Sequence, residues 1–322
     1  MNTIPSTFKR VRLPYTVVGG RKIDKKRRKP DDLSLLLINR GNRLFKADIL
    51  QELEKTGIPE IISVEGPVIS HDIENLSGRF PFVKFLLLHQ DASTGEQVNL
   101  GIEEAYGRYI IVLWNDVKLS SGIIIQKLIE RVKARDILCS VPVLLNSRGE
   151  AIPSIQAPAF YKKHLKVVPL QPSKDGMDTL FPFDFIGVYS KERFVLTGGY
   201  DHNTVSPFWQ KMDFGFRAHM WGEKIKCDTT FRIAYMGEVT VEDTTPDESY
   251  KYFFLKNLSI RYNGEAGVLP FSRFFPYFLK SGEGFFTALK EFREVRRWVR
   301  TNRFRFKKDA RSVTELWEIP EI

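Results

Sequence analysis

Apolar and polar positions follow two rhythms along this chain. Leu33 to Ile38 is a nearly continuous apolar run, the mark of a strand buried on both faces. Leu44, Ala47, Leu50 and Leu53 then recur at helical spacing, and Gly57 stops the helix. Glu60 to Val64 predicts the next strand, Asp72 to Leu76 a short helix, and Phe82 to Leu88 a third strand. Thr94 and Gln97 have the spacing of a capping box, ahead of a helix that presents Val98, Ile102 and Ala105 on one face and closes at Gly107. Tyr109 to Trp114 predicts a fourth strand, Ser121 to Ala134 a helix, and Ile137 to Val141 a fifth strand. Strands alternating with helices at this spacing predict an α/β fold with a doubly wound, mainly parallel sheet.

Beyond Pro142 the alternation weakens. Residues 143–200 are rich in Pro, Gly and aromatics and predict loops and short strands laid over one edge of the sheet. Helices are expected at Phe208 to Trp221 and Lys251 to Tyr262. Farther on, Phe285, Ala288, Leu289, Phe292, Val295 and Val299 form an apolar stripe opposite Lys290, Arg293, Arg297 and Arg300. The expected organisation is a basic arm over residues 1–30, a nucleotide-binding half over 31–142, an acceptor half over 143–262, and a basic helical region over 263–322.

Charge changes this picture more than composition does. Residues 9–29 carry a net +9 and residues 290–308 a net +7, which leaves the rest of a +10 chain near −6. Two basic ends on a mildly acidic body suit an anionic surface, and a membrane is the partner considered first. A solubilising tail is the plain alternative for 9–29. At the C-terminal stripe, an interfacial helix on anionic lipid competes with a helix packed on the domain; Trp298, Phe304 and Phe306 among the arginines favour the interface. The apolar runs are too short to cross a bilayer, and the first residues carry no apolar signal core. Two cysteines, Cys139 and Cys227, exclude a disulfide framework and fit a reducing cytoplasm. Nucleic acid is an unlikely partner, because the aromatics and arginines form no recognition module.

In open α/β sheets ligands bind beyond the carboxyl ends of the strands. The first strand ends in Asn39-Arg40, the second in Glu65, and the fourth in Asn115-Asp116. A carboxylate at the second strand end suits a base or ribose, and Asp116 suits a divalent cation on diphosphate oxygens. Taken singly, each has a plain reading as a strand-end turn residue. Together they predict a nucleotide site.

The chain resembles a family 2 glycosyltransferase of the glycosyltransferase A fold from about Leu33 to Ile225. The resemblance lies in the first strand with Asn39-Arg40 and EIISVEG, in STGEQVNLGIEEAYGRYIIVLWNDV, and in GGYDHNTVSPFWQKMDFGFRAHMWGEKI. It implies an inverting transfer of a sugar from a UDP-linked donor to a glycan or lipid-linked acceptor, with Mn2+ or Mg2+ on the diphosphate. By position, Glu65, Asn39, Arg40, Asn99 and Asn115 would contact the nucleotide and Asp116 the metal. Glu238, Glu242 and Asp243 would stand where relatives complete the metal shell. Phe181, Phe183, Phe185, Tyr189, Tyr200, Phe208 and Trp209 fall where this fold builds its acceptor site, as a sugar platform or as core.

The departures matter. Glu65 stands for the usual aspartate, and of the metal motif only Asp116 remains. The Glu-Asp pair that supplies the general base falls at Gln210-Lys211. Asp213 is then the first choice for base and Asp201 the second, against a plain role for Asp213 as helix anchor through Arg217. That replacement keeps a second function open, a non-catalytic glycosyltransferase-like binding or partner protein held at a membrane surface.

Overall fold

The computed structural model of the chain describes residues 13–20, 33–41, 46–67, 72–119, 125–161 and 164–318. Most of the basic arm at 9–29 lies outside the described residues. Its Tyr15–Gly19 stretch, β1, is an edge strand antiparallel to Val83–Leu88.

Burial on both faces makes the central strands. Leu33–Ile38 (β2), Glu60–Glu65 (β3), Val83–Leu88 (β4) and Tyr109–Trp114 (β5) pair in parallel, with every residue of β2, β3 and β5 buried. Val117–Leu119 (β6) and Cys139–Leu145 (β7) follow. Ile155–Tyr161 (β8) and His164–Leu170 (β9) form a separate antiparallel hairpin. Gly187–Ser190 (β10) and Ile225–Tyr235 (β11) complete a nine-stranded sheet in the order β1-β4-β3-β2-β5-β10-β7-β11-β6. The expected mainly parallel α/β sheet is present. Two features differ from the expectation. The strand β10 does not lie over an edge but runs antiparallel between β5 and β7 at the centre. The strand β7 also runs on through Pro142, where β11 shifts register after Asp228; a bulge accommodates the missing N–H.

Helices Lys46–Glu54 (α1), Ile73–Arg79 (α2), Thr94–Glu104 (α3) and Ile125–Arg135 (α4) link the parallel strands. The capping box of α3 is Ser93 with Glu96 rather than Thr94 with Gln97. Both pairs have the required spacing. Ser93 takes the role because it lies outside the helix with extended backbone, so its hydroxyl reaches the Glu96 N–H. Lys191–Thr197 (α5) and Pro207–Met220 (α6) follow, and α6 is buried throughout from Phe208 to Met220.

The C-terminal part folds on α6 around a second core. Glu248–Phe253 (α7) passes into a π-helical turn at Phe254–Leu258, which ends the helix expected to reach Tyr262. Phe274–Ser281 (α8), Phe285–Asn302 (α9) and Ala310–Glu315 (α10) complete the layer. Ala288, Phe292, Val295 and Val299 of the basic stripe are buried in this core with Phe208, Met212 and Phe216 of α6. Packing therefore covers the stripe from Ala288 to Val299, while Phe285 at its start is left exposed. Among the described residues no helix is long and apolar enough to cross a membrane.

Candidate active site

The parallel register brings the strand ends level. Ile38 pairs with Val64 on one side and Trp114 on the other, so Asn39, Arg40, Glu65, Asn115 and Asp116 emerge along one edge. Their side chains first secure the edge itself. Asn115 N–H donates to the Ile38 carbonyl at 3.0 Å, and its side-chain oxygen accepts from the Arg40 backbone N–H at 2.9 Å. Asn39 donates its side-chain amide to the Val64 carbonyl and accepts from Lys46 Nζ at 3.1 Å. Glu65 pairs with Lys46 and accepts from the Ser63 hydroxyl at 2.6 Å. Burial outweighs the Glu65 charge at Lys46 and holds its ammonium below its ordinary pKa.

Arg40 is the hub of the site. Its guanidinium lies 4.0 Å over the Trp114 ring and donates from Nη2 to both Asp184 oxygens at 2.6 and 2.8 Å. From Nη1 it reaches Asp116 Oδ2 at 3.4 Å and the Thr240 hydroxyl. Burial opposes the charge on Arg40, but the bonds and charge of Asp184, with Asp116 behind, more than reverse this and raise its pKa. Tyr235 donates its hydroxyl to Asp184 at 2.9 Å; burial first, then this carboxylate, push the phenol well above its ordinary range.

Asp184 has no signal in the sequence, sitting within an aromatic run, yet its backbone is left-handed at φ 52° with Phe185 at φ 62°. Such strain in non-glycine residues costs about 1–3 kcal/mol each and gathers at functional sites. Here the Trp114 indole N–H fixes the Asp184 carbonyl at 2.8 Å while Arg40 and Tyr235 fix the carboxylate.

The segment 236–247 closes over this edge. Met236 N–H donates to the Asp116 carbonyl at 2.9 Å, Thr240 meets Arg40, and Glu242 pairs with Lys211 of α6. The Lys211 ammonium also stands 5.1 Å from the Phe185 ring centre. Lys211 thus fills the expected base position with a paired cation.

The expected metal at Asp116 meets a different chemistry. Asn115 spends its side-chain oxygen on backbone, and the cation against Asp116 is the Arg40 guanidinium. Among the described residues no group of three or more His, Cys, Asp and Glu is placed to hold a metal ion. With Arg40 in this position the residues present do not fit a divalent cation.

Asp213 and Asp201, the candidates for base, lie away from the edge in a closed ionic cluster. Asp213 accepts from Arg217 at 3.0 Å, Lys256 at 3.1 Å and Asn257 at 2.8 Å, and its side chain is 0% exposed. Asp201 accepts from Lys256 at 2.5 Å and from the Asn203 backbone at 3.0 Å, and Lys256 pulls its pKa down against the effect of burial. Neither is placed to take a proton from an acceptor hydroxyl, because water and ligand are excluded and both oxygens are already bonded.

Asn99 is also a fastener. It clamps Tyr200 with two hydrogen bonds, 2.7 Å to its carbonyl and 2.9 Å from its N–H, and does not join the strand-end set. Of the aromatic group, Phe181, Phe185, Tyr189, Tyr200, Phe208 and Trp209 are buried as core, and Phe183 is half-buried.

No known family model matches the chain, and no curated protein matches it by sequence. Solved structures do match. TarS from S. aureus is 11% identical with a TM-score of 0.51, over 70% of this chain and 38% of that one. GalNAc-T7, solved with UDP, GalNAc and Mn2+, is 14% identical with a TM-score of 0.55, over 88% of this chain and 57% of that one. A TarS structure covering residues 1–349 in complex with UDP-GlcNAc is 10% identical with a TM-score of 0.50, over 82% and 71%. The chain therefore spans well under two thirds of the full TarS and GalNAc-T7 chains, and it has the glycosyltransferase A fold.

Proposed function

We propose that this chain is a glycosyltransferase that takes a sugar from a UDP-linked donor and passes it, with inversion, to a glycan or lipid-linked acceptor. The observation that carries the reading is the convergence of Asn39, Arg40, Glu65, Asn115 and Asp116 on one strand edge of a glycosyltransferase A fold. Similar structures hold UDP and UDP-GlcNAc. Glu65 is assigned to the base or ribose, and Arg40 to the diphosphate side. An acceptor hydroxyl attacks the anomeric carbon, the bond from that carbon to the phosphate oxygen breaks, and UDP leaves with its electrons. The proton goes to a carboxylate. Glu242 is the one assigned here, because it is 17% exposed beside the site and Lys211 orients it. Mn2+ or Mg2+ at Asp116 would compete with Arg40. The place of action is the cytoplasm, at the inner membrane face where a lipid-linked acceptor would lie.

A second reading has one specific observation behind it. Lys211 occupies the position of the expected base, and the neighbouring carboxylates Asp201 and Asp213 are sealed off. A nucleotide-sugar binding protein without turnover fits this equally directly.

Calorimetric titration of UDP and GDP, followed by release of UDP from UDP-sugars, separates the readings. Binding lost in Arg40→Met together with turnover lost in Glu242→Gln supports the transferase. Binding without turnover for any donor supports the second reading, and no binding of either nucleotide sinks both.

A further inference from the structure

Most of the apolar stripe of α9 is buried, but its first residue, Phe285, belongs to an apolar surface left open at the start of the helix. Phe286 is 84% exposed, Leu279 80%, Phe275 59%, and Phe271 and Phe285 47% each. These residues come from α8, α9 and the turn before α8, and the four phenylalanines fall in two groups of touching rings. Phe271 meets Phe275 at 6.5 Å, Phe285 meets Phe286 at 5.7 Å, and the half-buried Phe278 meets Phe285 at 5.6 Å. The buried Phe274 links the two groups, meeting Phe275 and Phe285 at 5.7 Å each, and Leu279 lies on the same short helix. Single exposed apolar residues are ordinary; five gathered at one helical hairpin are not.

The charges around the patch are mostly cations. Over residues 271–300 there are seven Lys and Arg against three Glu. Two of those glutamates are engaged, Glu283 with Lys251 and Glu291 with the Tyr277 hydroxyl. Lys280, Lys290, Arg293 and Arg297 form no ion pair among the described residues, and Arg296 lies 5.9 Å over the Phe271 ring. Aromatic side chains surrounded by unneutralised cations match an anionic lipid surface, where rings enter the acyl boundary and cations meet headgroup phosphates. A symmetric contact between two copies would place this basic rim against itself, which like-charge repulsion opposes.

We propose that the α8–α9 hairpin is a membrane-docking tip, inserting Phe275, Leu279 and Phe286 into an anionic leaflet. It rests on the transferase reading only in giving a lipid-linked acceptor a reason to meet the protein there. The docking surface is the hairpin end, which takes in only the first residue, Phe285, of the amphipathic stripe that the sequence singles out.

Co-sedimentation of the full chain with vesicles tests it. Vesicles of phosphatidylcholine alone are compared with vesicles in which about a third of the lipid is phosphatidylglycerol. The anionic vesicles should bind the chain and the neutral ones bind it much less. Phe275→Ser, Leu279→Ser and Phe286→Ser combined should weaken anionic binding about tenfold or more, with the cooperative melting transition retained because all three side chains are more than half exposed. Failure of the wild type to bind, or a triple variant that binds as well as wild type, overturns the proposal. So does a concentration-dependent dimer or an acidic protein complex that the triple variant abolishes while vesicle binding stays intact. Titrating UDP into the same preparations keeps the two readings apart, since nucleotide binding does not depend on the hairpin.

Discussion

Arg40, at the end of β2, grips both carboxylate oxygens of Asp184 from one nitrogen, at 2.6 and 2.8 Å. The two residues are far apart in sequence, and one of them is held in left-handed backbone. The pair fixes the centre of the sheet edge, and Asp116 completes a group of two carboxylates and one guanidinium.

Arg40→Met leaves those carboxylates without their cation. Stability at neutral pH should fall by about 2–4 kcal/mol, since breaking a largely buried pair strands its partner. MnCl2 should then raise the melting temperature of the variant while leaving wild type almost unchanged. An equal response in both proteins would show that metal and guanidinium do not compete for Asp116.

Gln210 explains why a carboxylate is absent from its position. Its amide oxygen accepts from the Gly95 N–H at 2.9 Å, while its amide nitrogen donates to Ser93 Oγ at 3.0 Å and the Asp201 carbonyl at 3.1 Å. A glutamate has no such donor and would bring a buried charge against a carbonyl. Gln210→Glu is expected to cost about 2–4 kcal/mol in urea unfolding at pH 7. A variant as stable as wild type would mean the amide is not the fastener described.

Lys211 and Glu242 form a pair in which the lysine side chain is 2% exposed. Glu242→Gln strands that ammonium among Phe181, Phe183 and Phe185. The double substitution with Lys211→Met should recover much of the loss. A double-mutant cycle should give a coupling of about 1–3 kcal/mol. Additive losses would place the two groups outside each other's influence.

His219 ties stability to acidity. Burial pushes its imidazole down to about 4, from an ordinary value near 6.5. Because the folded-state value is depressed, the contribution of the neutral ring is complete above about pH 6.5 and is lost as the pH falls towards 4. The loss over that window should approach 3 kcal/mol, about 1.4 kcal/mol per pH unit. His219→Gln, which retains a donor for the Thr179 carbonyl, should flatten the urea midpoint between pH 7 and 4.5. An unchanged slope would assign the acid sensitivity to other groups.

The strands that carry the candidate site were legible because Leu33–Ile38 and Tyr109–Trp114 are buried on both faces, which writes a continuous apolar run. The strand Gly187–Ser190 was not, since four residues between two neighbours need no pattern of their own. The strand ends could be read, as the sheet rule applies to any open α/β fold. What lay beyond reading was where long side chains go. The Arg217 partner of Asp213 could be read at helical spacing, but Lys256 and Asn257, which seal Asp213 and Asp201 into one cluster, lie too far along the chain to be read. Asp184 required φ values that no residue type in the run Phe183 to Phe185 announces.

That ionic cluster also bears on how the chain holds together under load. Lys256 neutralises Asp201 and Asp213 from beneath, and its ammonium is in turn roofed by Trp298 of α9 at 4.8 Å. A chain cut before α9 would expose a counter-ion on which the centre of α6 depends. The last helices therefore act as a keystone rather than an appendage. Calorimetry should record one melting transition for the whole protein, and no soluble, foldable fragment should end before Phe285.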